Sequence, residues 1–184
     1  MNPPLFRFDE DGLRSALSGL PAAAQSAFAQ ACAWRLLQSG RNTLSVPDRK
    51  LCVSALQIAR SFVDVGEVNR GTQEPLLREV MGNPSVDDDG MAATAFVLGH
   101  MTAFDVQQVL WAARRAYDDA DAFAQTAFDF DVSTKEIEAA LLAHDAVQFE
   151  LRRQSEDLDQ LVRDADSASD VVDRAARPRP QSAE

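Results

Sequence analysis

Aromatic residues are scarce in this chain: Trp, Tyr and Phe make up 7% of its 184 residues, with a single tyrosine. A core that cannot lean on large rings must be filled by Ala and Leu, and Ala-rich cores favour closely approaching helices. Glycine and proline number eight each, too few for a fold built on many tight hairpins. No stretch alternates apolar and polar residues with period two for long enough to argue for a sheet. These absences leave an all-α, single-domain helical bundle, and 46% hydrophobic content suffices for its core.

Other absences bear on location and partners. The two cysteines, Cys32 and Cys52, each fall on an apolar helical face and read as buried free thiols rather than a disulfide. The first residues, MNPPLFRFDEDG, have neither a basic start nor an apolar run, and nothing approaches a membrane span, so the expected compartment is the cytoplasm. There is no excess of positive charge. The net charge is −11, and it is unevenly placed. Residues 1–85 hold nine basic and eight acidic groups, whereas residues 86–184 hold nine basic and 21 acidic groups. An acidic half of net −12 argues against nucleic acid or an anionic membrane and favours a basic protein partner.

What is present is periodicity. From Thr102 to Phe128, apolar or small residues recur at Val106, Leu110, Ala113, Tyr117, Ala120, Ala124 and Ala127, in steps of four and three. At roughly 100° per residue this makes one apolar stripe along a helix of about seven turns, the element expected to organise the bundle. Thr102 and Asp105 supply its capping signature.

Six further helices are expected. They run over Phe8–Leu17, from Pro21 to just before Gly40, over Lys50–Val63 behind a Ser45 cap, from Thr72 to Met81, from Ser85 to about Met101, and from the Ser133-x-x-Glu136 start to about Val162. Asp129–Asp131 turns the chain into the last of these, and Ser133 caps it. Its stripe is Ile137, Ala140, Leu141, His144, Val147, Leu151, Leu158 and Leu161. The two long C-terminal helices are expected to pack antiparallel, with Leu110, Ala113, Tyr117, Ala120, Leu141, His144 and Leu151 in the centre. The bundle is taken to span residues 1–165, and residues 166–184, which include an Arg-Pro-Arg-Pro run, read as a disordered tail.

Candidate chemistry does not accumulate into a motif. Asp87-Asp88-Asp89-Gly90 fails as a calcium loop, because Phe96 stands where a bidentate Glu is needed, and reads better as acids at a helix start. Asp118, Asp119 and Asp121 lack the fifth-position acid of an Asp-Asp-x-x-Asp motif. Glu136, Glu138, Glu156, Asp157 and Asp159 are spaced wrongly to converge from one helix face, and read as solvated. The histidines, His100 and His144, have no ligand partner at helical spacing, and His144 reads as a core histidine. No catalytic, metal or cofactor residue is assigned.

Two aromatic placements stand out. Phe104 and Trp111 lie seven apart and opposite the main stripe, among Arg114, Arg115 and Asp118; Leu142 and Phe149 repeat the pattern on the last helix. Either both helices are packed on two sides, or these ridges form a partner-binding or dimer surface. The partner-binding candidates are Trp111, Arg114, Arg115, Asp118, Asp121 and Phe149.

The stretches AFAQACAWRLL (Ala27–Leu37), WAARRAYDDAD (Trp111–Asp121) and HDAVQFELRRQSEDLDQL (His144–Leu161) resemble the helical bacterial family known as domain of unknown function 416. His144, Val147, Glu150, Gln154 and Leu158 match that family's closing helix, while Asp145 departs from the proline often found there. Related helical families resemble immunity proteins of bacterial toxin systems. The resemblance therefore implies a non-enzymatic immunity protein, and the charge asymmetry adds the expectation that it neutralises a basic toxin domain through an acidic face holding Asp118, Asp121, Glu138, Asp145 and Glu156. The alternatives are an orphan helical hydrolase or ligand-binding protein whose carboxylates meet in three dimensions, and a housekeeping interaction protein forming a homodimer through the Trp111 and Phe149 ridges.

Overall fold

The computed structural model describes residues 5–39, 41, 43–128 and 134–177. They form an all-α fold with nine helices among the described residues: α1 (Glu10–Ser18), α2 (Ala22–Gln38), α3 (Val46–Val65), α4 (Arg70–Met81), α5 (Asp89–Ala103), α6 (Val106–Gln125), α7 (Thr134–Ala143), α8 (Asp145–Arg163) and α9 (Ala168–Ala176). The expected Gly40 helix stop, the Asp129–Asp131 turn and the Ser133 cap lie outside the described residues.

The centre of the bundle is α2, not the longer α6. Thirteen of the seventeen α2 residues are buried, and the helix packs on α3, α5, α6, α8 and α9. Its sequence, AAAQSAFAQACAWRLLQ, carries small or apolar residues on every face, which is the pattern of a helix surrounded by others. Alanines bring the neighbouring backbones close, and the amide nitrogens of its buried glutamines donate to groups around the helix. Gln25 donates to the carbonyls of Leu17 and Leu20 at 3.0 and 2.9 Å, closing the end of α1. Gln30 donates to Ser26 Oγ and to the Ala59 carbonyl of α3. The amphipathic α6 covers one side of this centre, burying Val109, Leu110, Ala112, Ala113, Ala116 and Ala120.

Helix starts follow local chemistry. Ser45 accepts from the Asp48 amide, Asp88 from Gly90 and Asp105 from Gln107, each filling a vacant donor at a helix N-terminus. Thr102, expected to cap α6, belongs to the last turn of α5. Asp105 takes the role because Phe104 adopts φ 53°, ψ 36°, a left-handed corner between the two helices. Gly66 ends α3 at φ 77°, where glycine carries no Cβ penalty.

The last predicted helix is two. His144 does not continue the stripe: it has extended backbone, accepts from the Ala146 amide through Nδ1 at 3.2 Å, and starts α8 as its cap. Its ring is half-buried and meets the edges of Phe123 and Phe128. Tyr117 and Leu141, expected in the centre, are also only half-buried. They flank a small satellite cluster of Ala120, Ala124, Val147 and Leu151.

The bundle also extends past residue 165. After a single 3₁₀ turn at Ala165–Ser167, α9 buries Ala168, Val171, Val172 and Ala175 against α2 and α3. The short, charged appearance of this segment conceals apolar residues at steps of three and four, which are enough for one buried face. The remaining stretch of the expected tail, residues 178–184, lies outside the described residues. No helix among the described residues is long and apolar enough to cross a membrane.

Candidate functional site

The corner at Phe104-Asp105 folds α6 back along α5, so residues equally far from it on either side become neighbours. Phe96, eight residues before Phe104, meets Trp111, seven residues after it, with ring centroids 5.3 Å apart and planes at 49°. His100 braces the corner, its ring nitrogens 3.1 and 3.3 Å from the carbonyl oxygens of Asp105 and Ala22. Trp111 nonetheless keeps 44% of its surface exposed. The reading in which this ridge is packed core is therefore set aside. Phe104 and Phe149 are exposed to 48% and 39%, on the same side of that question.

Trp111 and Phe96 form part of an open groove of about 370 Å³ whose other boundaries are Arg114, Arg115 and Asp118. Four of the six sequence-predicted binding residues are thus brought together. Arg114 Nε donates to Asp118 Oδ1 at 2.9 Å, and its guanidinium lies over the rings of Phe8 and Tyr117. Arg115 Nη1 donates to Asp89 Oδ1 at 3.1 Å. Burial raises the Asp89 pKa against the opposing pull of Arg115. The groove therefore has an aromatic floor and two ion pairs at its rim. Asp121 accepts from Gln125 and does not line it, and neither does Phe149 on α8. Phe96 was missed because it sits in a nearly continuous apolar run, MAATAFVLGHM, where periodicity does not single out one face.

The acids of the second half distribute differently from the expected face. A second surface depression, of about 250 Å³, gathers Asp87, Asp88, Asp89 and Asp119 with Arg41 and Thr43 beside the groove. Asp119 is held by Arg41, whose Nε donates to it at 3.0 Å, and Asp88 accepts from both the amide and the hydroxyl of Thr43. Among the five acids expected to share a face, Asp118 pairs with Arg114 and Glu156 with Arg153, while Glu138 and Asp145 are exposed on α7 and α8.

Asp157, read as solvated, is 1% exposed. It belongs to a buried charge network in which Arg35 of α2 donates from Nε to Glu150 Oε2 at 3.0 Å and from Nη1 to Asp157 Oδ2 at 2.6 Å. Arg174 of α9 reaches the other Asp157 oxygen at 2.5 Å, and Gln154 donates to Glu150 and to the Ala113 carbonyl. Burial alone would pull the Arg35 pKa down; the Glu150 and Asp157 carboxylates outweigh it and raise it. The spacing of Glu150, Gln154 and Asp157, at steps of four and three, was a signal: three polar residues on the stripe of an amphipathic helix require a buried partner. These carboxylates do converge, as the hydrolase reading requires, but on a guanidinium. The space beside Arg35 and Glu150 is about 20 Å³, room for a water and not for a substrate. No group of three or more His, Cys, Asp or Glu residues among the described residues is placed to hold a metal ion.

No family model and no curated protein matches the chain. Among solved structures it is similar to the crystal structure of a DUF416 family protein from Shewanella baltica OS155, with a TM-score of 0.69 over 88% of this chain and 90% of that one, at 15% identity. The chain has the DUF416 fold. This agrees with the family resemblance of the sequence, and the three stretches that carry the resemblance fall on α2, α6 and α8 with its His144 cap. Within them lie Arg35, Glu150, Gln154 and Asp157, so what the DUF416-like stretches encode most directly is the packing of the central helices.

Proposed function

We propose that the chain is a non-enzymatic protein-binding protein, an immunity protein of a bacterial toxin system that seats a basic toxin domain over the α5–α6 groove in the cytoplasm. The observation that carries this reading is Trp111. A large ring is left 44% exposed beside Phe96 and between two arginines, and exposed Trp flanked by Arg is the composition at which interface binding energy concentrates. The sign of the partner follows from the net −12 of residues 86–184 and from the acidic depression that adjoins the groove. The immunity assignment draws on the likeness of related helical families and on this charge. The hydrolase alternative is disfavoured by the lack of substrate space at the converging carboxylates.

The test takes as partner a basic toxin domain found encoded beside this chain once that neighbourhood is sequenced, with association rates followed at several salt concentrations. Asp118→Lys with Asp121→Lys should slow association and flatten its salt dependence; Glu74→Lys with Glu79→Lys, exposed positions in the nearly neutral half, should change little. Equal effects from both pairs would show that only total charge matters. A dimer that dissociates in Trp111→Ala and binds no basic partner would favour the self-association reading instead.

A further inference from the structure

A second site lies between α1 and α8, under the segment that precedes α1. This segment is tied to α8 by one side chain. Gln148 accepts from the Phe6 amide and donates to the Phe6 carbonyl, both at 2.9 Å, and donates also to the Leu142 carbonyl. Phe8 is fixed in turn by stacking on Tyr117, with ring centroids 5.2 Å apart. Beneath the segment remains a cleft of about 200 Å³ with walls from Phe6, Phe8, Leu13, Leu151 and Leu158.

The cleft walls are mostly apolar, and two uncharged polar side chains, Gln154 and Ser155, line it. Gln154 is 5% exposed. Both hydrogens of its amide nitrogen are used, on the Ala113 carbonyl and on Glu150 Oε1, each at 3.0 Å. The hydrogen-bonding capacity left to it is that of an acceptor, its Oε1. Arg7 and Asp9 also border the cleft, one charge of each sign, so the border favours neither an anion nor a cation. For scale, an apolar cavity of roughly 150 Å³ holds benzene.

We propose that this cleft binds one neutral aromatic ring carrying a single hydrogen-bond donor, a phenol, presented either as a free small molecule or as a tyrosyl side chain. The ring fills the space between Phe8 and Leu158, and its hydroxyl donates to Gln154 Oε1. The walls are already held by Gln148 and Tyr117, so binding orders little of the protein.

The experiment titrates the full chain with 4-methylphenol, toluene and N-acetyl-tyrosinamide, following amide shifts by NMR. 4-Methylphenol should produce saturable shifts centred on Phe8, Leu13, Leu151 and the Gln154 side-chain amide. Toluene should bind about two- to tenfold more weakly, the worth of one neutral hydrogen bond. Leu158→Trp should fill the cleft and abolish the shifts; Ser155→Trp replaces it if that variant loses its circular dichroism melt. N-acetyl-tyrosinamide giving the same shifts assigns the site to a partner's tyrosine, and its failure where 4-methylphenol succeeds assigns it to a free small molecule. Shifts that do not saturate, that map elsewhere, or that survive both filling variants overturn the site. Equal affinity for toluene and 4-methylphenol overturns the role given to Gln154.

Discussion

Arg35 and Glu150 are 115 residues apart in the chain and meet in its interior, where Nε and Nη2 of one guanidinium donate to the two oxygens of one carboxylate at 3.0 and 3.1 Å. Each side chain is only 7% exposed. Removing one member leaves the other charged and buried without its partner. Arg35→Met or Glu150→Leu alone should therefore cost about 3–5 kcal/mol in urea unfolding. The combined variant Arg35→Met, Glu150→Leu, Asp157→Leu should lose much less than the sum of its parts, because no buried charge is orphaned and Arg174, 34% exposed, can turn to water. Additive losses would mean that the network is not a single unit.

The thiols make a prediction at alkaline pH. Cys32 and Cys52 are free and buried, and burial raises both pKa values, that of Cys52 from 9.0 to about 11 and that of Cys32 further. Below pH 9 the thiol is protonated in folded and unfolded chains alike, and its contribution is fully present. Above that the unfolded thiol ionises while the folded one resists, so stability falls as pH rises through the 9 to 11 window. The slope is up to about 1.4 kcal/mol per pH unit for each thiol. Urea midpoints at pH 8, 9.5 and 10.5 should show this decline, and Cys52→Ala should remove about half of it, leaving the share of Cys32. A thiol-specific reagent at pH 8 should count no reactive cysteine in the native chain and two in urea.

Trp111→Ala separates stability from binding. A buried Trp costs about 3–5 kcal/mol when truncated. This ring is 44% exposed and leans on Phe96 from one side, so the loss should be nearer 1 kcal/mol by the area it covers. A melt lowered by much more would place the ring in the core after all.

Phe104 holds a left-handed backbone at φ 53°, which costs a residue with a Cβ roughly 1–2 kcal/mol. Its ring is 48% exposed and touches Phe62 and His100. Phe104→Asn, which tolerates this conformation, should relieve strain and offset the lost contacts, leaving stability within about 1 kcal/mol of the parent. Phe104→Val should be worse than Asn despite being apolar, because a β-branched side chain is least at ease there. The order Val above Asn in a chemical melt would refute the strained corner.

Sequence by itself determined the class of the fold and most of its elements. The steps of four and three in α6, the Ser45 cap and the scarcity of turn residues are local signals, and they specify helices before any neighbour is known. It also singled out Trp111, Arg114, Arg115 and Asp118 as neighbours, since residues three, four and seven apart share a helix face. Tertiary structure decided what lay on the far side of each face. Which helix is central depends on how many others surround it, and α2, apolar all round, took that place from the longer α6. Whether Asp157 is solvated or paired depends on Arg35, more than a hundred residues away, and the burial of α9 depends on a groove that exists only once α2 and α3 have packed. His144 looked like one more position of a stripe. Its ring nitrogen instead satisfies the Ala146 amide at the start of α8, a bond that forms only where the chain has already bent.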